Sequence, residues 1–144
     1  MNNSMKVSFD AYPQNEGFAR VAVAAFMAYL DPTVDEMEDV KTAVSEAVTN
    51  SIIHGYGQGE KNDKPAGSVD MEMRVCDREV AIIIRDYGVG ISDIKKAMEP
   101  LYTSKPEMER SGMGFTFMEA FMDKVSVESV VGEGTTVTLH KKIK

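Results

Sequence analysis

Glu79-Val80-Ala81-Ile82-Ile83-Ile84-Arg85-Asp86-Tyr87-Gly88-Val89-Gly90 is the stretch on which the fold turns. Its apolar run predicts a central, buried strand over Glu79–Asp86. The acid at the end of that run is costly there unless it finds hydrogen-bond partners. The two glycines after it permit positive φ or a close backbone approach to a ligand. By itself, the segment reads equally well as a buried strand followed by a plain turn with an exposed Asp.

Upstream, Ser68–Val75 alternates strictly, with Val69, Met71, Met73 and Val75 on one face, so it predicts a half-buried neighbour strand. Before it, Gly57–Gly67 is polar and Gly-rich and reads as an exposed, flexible loop. A helix precedes that loop, opened by the capping box Thr33-x-x-Glu36 and stopped at Gly55. Met37, Val40, Val44, Ala47, Val48 and Ile52 form its apolar face. Glu46, Asn50 and His54 recur every four residues as a stripe away from that face. A carboxylate beside an amide oxygen suits a hard cation such as Mg2+, but the spacing alone fits a solvated polar stripe better.

Nearer the start, Lys6–Asp10 predicts a short strand, and Asn15 is expected to cap a helix that runs to about Leu30, before Asp31-Pro32. This helix is apolar on almost every side (Phe18, Val21, Val23, Phe26, Met27, Leu30), which predicts burial by both the core and a partner. Glu16 and Arg20 form an i,i+4 pair on it.

Downstream of Gly90, a short helix is expected near Asp93–Met98. Pro100–Ser111 lacks an apolar period and reads as a mobile loop. Arg110-Ser111-Gly112-Met113-Gly114-Phe115 opens a helix from about Gly114 to Met122. Glycines ahead of a helix leave N–H groups and the positive dipole end free for a phosphate, and Lys105 and Arg110 add positive charge. Many helices start after glycine, so this signal is weak alone. Strands Lys124–Val130 and Thr135–Lys141 follow, joined by Gly132-Glu133-Gly134, with Thr135, Val137 and Leu139 on one face. The methionines, 11 in all, read as adaptable core packing. Helices followed by a strand-rich half predict an α+β, two-layer α/β sandwich.

Composition narrows the classes. A chain of 144 residues, 43% hydrophobic and 27% charged, is expected to form one domain over 1–144. One cysteine, Cys76, excludes a disulfide framework and a Cys-based metal site. The 16 basic and 23 acidic residues give a charge of −7, which argues against direct nucleic-acid binding. A bound polyphosphate then needs a cation or local dipoles. The chain has neither an apolar leader nor a membrane-length apolar run, so a cytoplasmic protein without membrane contact is expected.

The order of the weak signals is more telling than any one of them. A Glu-x-x-x-Asn helix, Asp-x-Gly-x-Gly after a buried strand, Gly-x-Gly opening a helix and Gly-Thr-Thr on a last strand together resemble the Bergerat ATP-binding fold. Gyrase-type ATPases, MutL-type proteins and histidine kinases share it. A histidine kinase needs a helical segment bearing its phosphorylated histidine, and gyrase-like and MutL-like ATPases need a downstream transducer domain. A free-standing ATP domain that senses nucleotide or acts on a separate protein is therefore expected.

Three stretches narrow the resemblance. Glu16-Gly17-Phe18-Ala19-Arg20 is the first. Val44-Ser45-Glu46-Ala47-Val48-Thr49-Asn50, with Ile53-His54-Gly55-Tyr56, is the second. The third is Pro100-Leu101-Tyr102-Thr103-Ser104-Lys105-Pro106-Glu107 through Arg110–Phe115. Over nearly its whole length the chain is similar to the anti-sigma-F factors of spore-forming bacteria, with the general-stress anti-sigma kinases as nearest relatives. The resemblance implies a homodimer that sequesters a sporulation sigma factor and uses Mg-ATP to phosphorylate a serine of an anti-anti-sigma factor. It implies Glu46 as the catalytic base and Asn50 as the Mg2+ ligand. Asp86 with Thr135 would read adenine of ATP or ADP. Gly88, Gly90, Gly112 and Gly114 would allow close backbone approach. Lys105 and Arg110 would hold phosphates, with Ser111, Met113 and Phe115 completing the ATP-binding segment. Glu16 and Arg20 would engage protein partners. The Gly57–Gly67 loop looks longer and more charged than the family pattern. A non-catalytic, nucleotide-gated sigma-binding module, a general-stress type kinase and a stand-alone ATPase stay open as alternatives, although an intact Glu46 favours the kinase.

Overall fold

A computed structural model describes residues 2–57, 60–61, 64–99 and 114–144. The expected mobile loop at Pro100–Ser111 therefore lies outside the described residues. Five strands form one antiparallel sheet: β1 (Asn2–Asp10), β4 (Ser68–Cys76), β5 (Glu79–Asp86), β7 (Gly134–Lys142) and β6 (Lys124–Val130), side by side in that order. The register is continuous, with Val69 opposite Asp86 and Asp86 opposite Thr135, so the ends of β4, β5 and β7 meet at one corner. Helices α1 (Asn15–Met27), α2 (Val34–Asn50) and α4 (Gly114–Phe121) supply the second layer, and a one-turn α3 (Ile94–Ala97) follows β5. The α+β two-layer sandwich is the one that the pattern predicts.

The core lies between the layers. Val69, Met71, Met73 and Val75 of β4, Val80, Ile82 and Ile84 of β5, and Val137 and Leu139 of β7 are buried with Val40, Val44, Ala47, Val48 and Met118 from the helices. Alternation is thus obeyed on β4. The β5 run is central but not buried on both faces: Ala81 and Ile83 are half-buried on the side that the helices leave uncovered. A continuous apolar run resembles a doubly covered strand, and here only one layer of helices is present to cover it.

Helix α2 starts as its capping box requires. The Thr33 hydroxyl accepts from the Glu36 N–H at 3.0 Å, and Glu36 accepts the Thr33 N–H at 2.9 Å. Two starts and stops differ from expectation. Asn15 does not cap α1; its amide turns back to donate to the Asp10 carbonyl at 2.8 Å, tying the helix to the strand before it. The second helix does not run evenly to Gly55. It changes at Ser51 into a π turn, Ser51–Gly55, which widens the backbone where the helix reaches β5. The Gly57–Gly67 segment contains two minimal paired strands, β2 (Glu60–Lys61) and β3 (Lys64–Pro65), too short for periodicity to reveal.

The first helix buries Ala19, Val23, Phe26 and Met27 but leaves Phe18 52% and Val21 66% exposed. One of its two apolar sides is therefore open in the single chain, with Phe18 edge-on to Phe9 of β1 at 6.2 Å.

Candidate functional site

The site grows from the corner where β5 ends. Asp86 is 2% exposed, a strong cost for a carboxylate. Burial pushes its pKa up, while the Gly88 N–H, the Ser51 hydroxyl and the Thr135 N–H oppose that shift by favouring the charged form. The Gly88 N–H donates to Oδ1 at 3.0 Å. Gly55 lies directly over the carboxyl: a Cβ on it would stand 3.0 Å from Asp86 Cγ. The π turn thus brings Ser51 and Gly55, one turn apart, onto the same acid.

The loop after Asp86 is pinned by backbone on both sides. Val89 N–H donates to the Gly55 carbonyl at 3.1 Å, and the Val89 carbonyl accepts from Gly132 N–H at 2.9 Å. A Cβ on Gly88 would meet the Gly55 oxygen at 2.1 Å, and one on Gly90 the Val130 oxygen at 2.4 Å. The close approach at these two glycines is to the chain's own backbone. Ser129 closes the far side: its hydroxyl accepts the Ile91 N–H at 2.7 Å and lies 2.8 Å from the Thr135 hydroxyl. Thr135 is buried beside Asp86, as the register dictates.

Glu46 and Asn50 sit one turn apart on α2, both half-buried, and α4 begins against them. A Cβ on Gly114 would stand 2.9 Å from Asn50 Nδ2 and 3.3 Å from Glu46 Oε2. The carboxylate, the amide and the start of α4 therefore converge. Phe115 is buried in the core behind them. His54 falls within the π turn, off the even four-residue spacing. Among the described residues no three His, Cys, Asp or Glu side chains cluster as metal ligands. One amide oxygen suits Mg2+, which binds through few protein ligands when a substrate's phosphates supply the rest.

Glu16 and Arg20 pair at 2.7 Å at the edge of α1 that meets α2, where the Ser45 hydroxyl also donates to Glu16. They lie apart from the Asp86 corner. Lys105, Arg110, Ser111, Gly112 and Met113 are outside the described residues. Sequence reasoning did not single out Ser51, Gly55, Tyr56 or Ser129 as site residues. Ser51 and Gly55 carried a usable signal, being four residues apart on the helix that leads to the corner, whereas Tyr56 and Ser129 act across long sequence separations.

Residues 9–141 match the histidine kinase-like ATPase domain family. An anti-sigma F factor of Clostridium novyi (strain NT) is 56% identical over 142 residues, covering 99% of this chain and 96% of the relative. Another, from Clostridium botulinum (strain Eklund 17B / Type B), is 61% identical over 140 residues, covering 97% and 94%. The chain belongs to the anti-sigma F factor family. The family's fold is also seen in a crystal structure of the RsbU and RsbW domains of a Mycobacterium tuberculosis protein, with TM-score 0.69 and 19% identity. That match covers 98% of this chain and 32% of the solved one. Among the described residues of this family member, no helix is long and apolar enough to cross a membrane.

Proposed function

We propose that the chain is a cytoplasmic, single-domain, homodimeric anti-sigma factor and protein-serine kinase. It binds a sporulation sigma factor and phosphorylates a serine of an anti-anti-sigma factor with Mg-ATP. The observation that carries this reading is the convergence of Glu46, Asn50 and Gly114, with a buried Asp86 at the neighbouring corner. Such a set has a base, a metal-competent amide, a helix start for phosphates and an acid for the base of the nucleotide.

In this reading the Asp86 carboxylate accepts from the exocyclic amine of adenine, with Thr135 opposite it on β7 completing the contact. Gly114, at the start of α4, with Lys105, Arg110 and the Ser111–Met113 segment, holds the phosphates of ATP or of the ADP product. Asn50, with the substrate's own phosphates, would hold Mg2+, which would supply charge neutralisation at the transferring group. Glu46 accepts the proton of the substrate serine. The serine oxygen then bonds the γ-phosphorus as the bond to the β–γ bridging oxygen breaks, and ADP leaves with that electron pair. Positioning and charge neutralisation supply most of the acceleration. Glu16 and Arg20, with the open apolar side of α1, engage the protein partners.

Incubation of the protein with γ-labelled ATP and the candidate serine-bearing partner tests the kinase, and capture of the sigma factor with and without ATP tests the anti-sigma role. Label on the partner and nucleotide-dependent capture are expected. Capture without label leaves a nucleotide-gated binding module, and phosphate release without either leaves a stand-alone ATPase.

A further inference from the structure

Tyr56 is absent from every ligand-contacting role above, yet its hydroxyl occupies a junction. It follows the π turn directly and its ring packs against Gly67, where a Cβ would stand 2.5 Å from Cε1. The hydroxyl donates to the Ser68 carbonyl, at the first residue of β4, at 2.8 Å. It accepts the Tyr87 N–H at 2.6 Å. One phenol therefore ties the end of the second helix, the start of β4 and the residue immediately after Asp86. The β5 ladder ends at Asp86, opposite Val69 and Thr135, so the Tyr87 N–H lies beyond the last pairing. A phenol is protonated at neutral pH and can donate and accept at once, and burial raises the Tyr56 pKa further.

We infer that Tyr56 is a positioning residue for base recognition: its hydroxyl fixes the backbone after Asp86 and so aims the Asp86 carboxylate at the amino edge of adenine. This rests on the nucleotide site proposed above. The Asp86 carboxyl is constrained by hydrogen bonds from Ser51 and Gly88 and lies under Gly55, where a side chain has no room. A shift of the backbone at Tyr87 misaims it, whereas it barely alters groups that hold phosphates on α4.

The test compares ATP with inosine triphosphate, which carries an oxygen where adenine has its amine, by calorimetric titration of the full chain beside a thermal melt. Wild type should prefer ATP. Tyr56→Phe keeps the ring and removes the hydroxyl. ATP affinity should fall about tenfold, as for a lost bond to a buried donor, with inosine triphosphate affinity little changed. Gly67→Ala keeps the hydroxyl but displaces the ring, and should narrow the preference in the same direction. Tyr87→Phe keeps the backbone N–H and should retain the wild-type preference. A preference unchanged in a folded Tyr56→Phe or Gly67→Ala variant, or equal weakening of both nucleotides, overturns the inference. A wild type that binds neither nucleotide, or binds both alike, instead overturns the adenine reading of Asp86 on which the inference stands.

Discussion

Two aspartates occupy neighbouring rows at one corner of the sheet and behave in opposite ways. Asp86, opposite Val69, points into the core, and burial raises its pKa. Asp70, opposite Arg85, points away from the helices, and hydrogen bonds from the Ser8 and Tyr87 hydroxyls, both at 2.5 Å, lower its pKa. The outer cluster is completed by Arg85 over the Tyr87 ring at 4.9 Å. Same residue type, same end of the sheet, opposite face: the outer acid is satisfied by its neighbours, while the inner one is held against its own preference. Groups kept in such an unfavourable state mark candidate functional sites. The inner face should therefore carry function and the outer face only local stability.

The largest expected effect lies on the inner side. Glu46→Gln should retain Mg-ATP binding and lose phosphoryl transfer by about 10²–10⁴-fold, the usual worth of a positioned base. Single-turnover transfer from labelled ATP, beside a binding titration, measures both. Near-normal transfer would move the base elsewhere and weaken the assignment of chemistry to this face.

Next comes Asp86→Asn. ATP affinity should fall by about 10²-fold, since a charged acceptor to the adenine amine is lost. Stability should move the other way with pH. A raised folded-state pKa means that the stabilising contribution of the protonated group is complete below the ordinary aspartate value and disappears as pH rises through the raised one. Wild type should therefore lose melting temperature relative to Asp86→Asn between about pH 4 and neutrality. A flat difference would mean that the carboxyl is not held at a cost.

Arg20→Ala probes a third region, the exposed edge of α1. The bond to Glu16 is an i,i+4 pair, worth a few tenths of a kcal/mol, and Glu16 is also held by the Ser45 hydroxyl whether or not the arginine is present. A fold role is thus small, and melting and ATP binding should be nearly normal. Sigma-factor binding should weaken by about thirtyfold, or about 2 kcal/mol, because an arginine on a helix that also exposes Phe18 and Val21 has the character of an interface anchor. Surface plasmon resonance decides it; an unchanged affinity would return Arg20 to the solvated surface.

What the sequence disclosed follows the range of the interactions. The Thr33 capping box and the β4 alternation are written within a few residues and emerge as read, whereas the even Glu46–Asn50–His54 stripe is broken at His54 by the π turn. Asn15 misled because its acceptor is the Asp10 carbonyl, a choice made by the strand before it and not by helix propensity. Ile83 misled because an apolar run does not say how many layers cover it. The π turn and the Ser129 hydroxyl became visible only with the register, since they answer to β5 and to the loop after it from distant segments. Gly88 and Gly90 read as places for a ligand to approach the backbone, and what approaches them is the chain's own backbone, because Gly55 and Val130 come from segments distant in sequence.

The smallest effect should come from the outer acid. Asp70→Asn keeps the shape and leaves one oxygen to accept from Ser8 or Tyr87, so the loss at neutral pH should be under about 1 kcal/mol. Its sign against pH is the reverse of that for Asp86. A lowered folded-state pKa gives stability that is present above the ordinary aspartate value and is lost as pH falls through the lowered one. The wild-type advantage over Asp70→Asn should therefore hold at neutrality and shrink below about pH 4. Nucleotide affinity should not move, because the Asp70 side chain faces away from the helices and the Asp86 loop keeps its backbone bonds to Tyr56 and Gly55. Parallel melts of the two aspartate variants from about pH 3 to 7 should thus give opposite slopes. Slopes of the same sign would show that the two faces do not differ in the way that their hydrogen bonds and burial require.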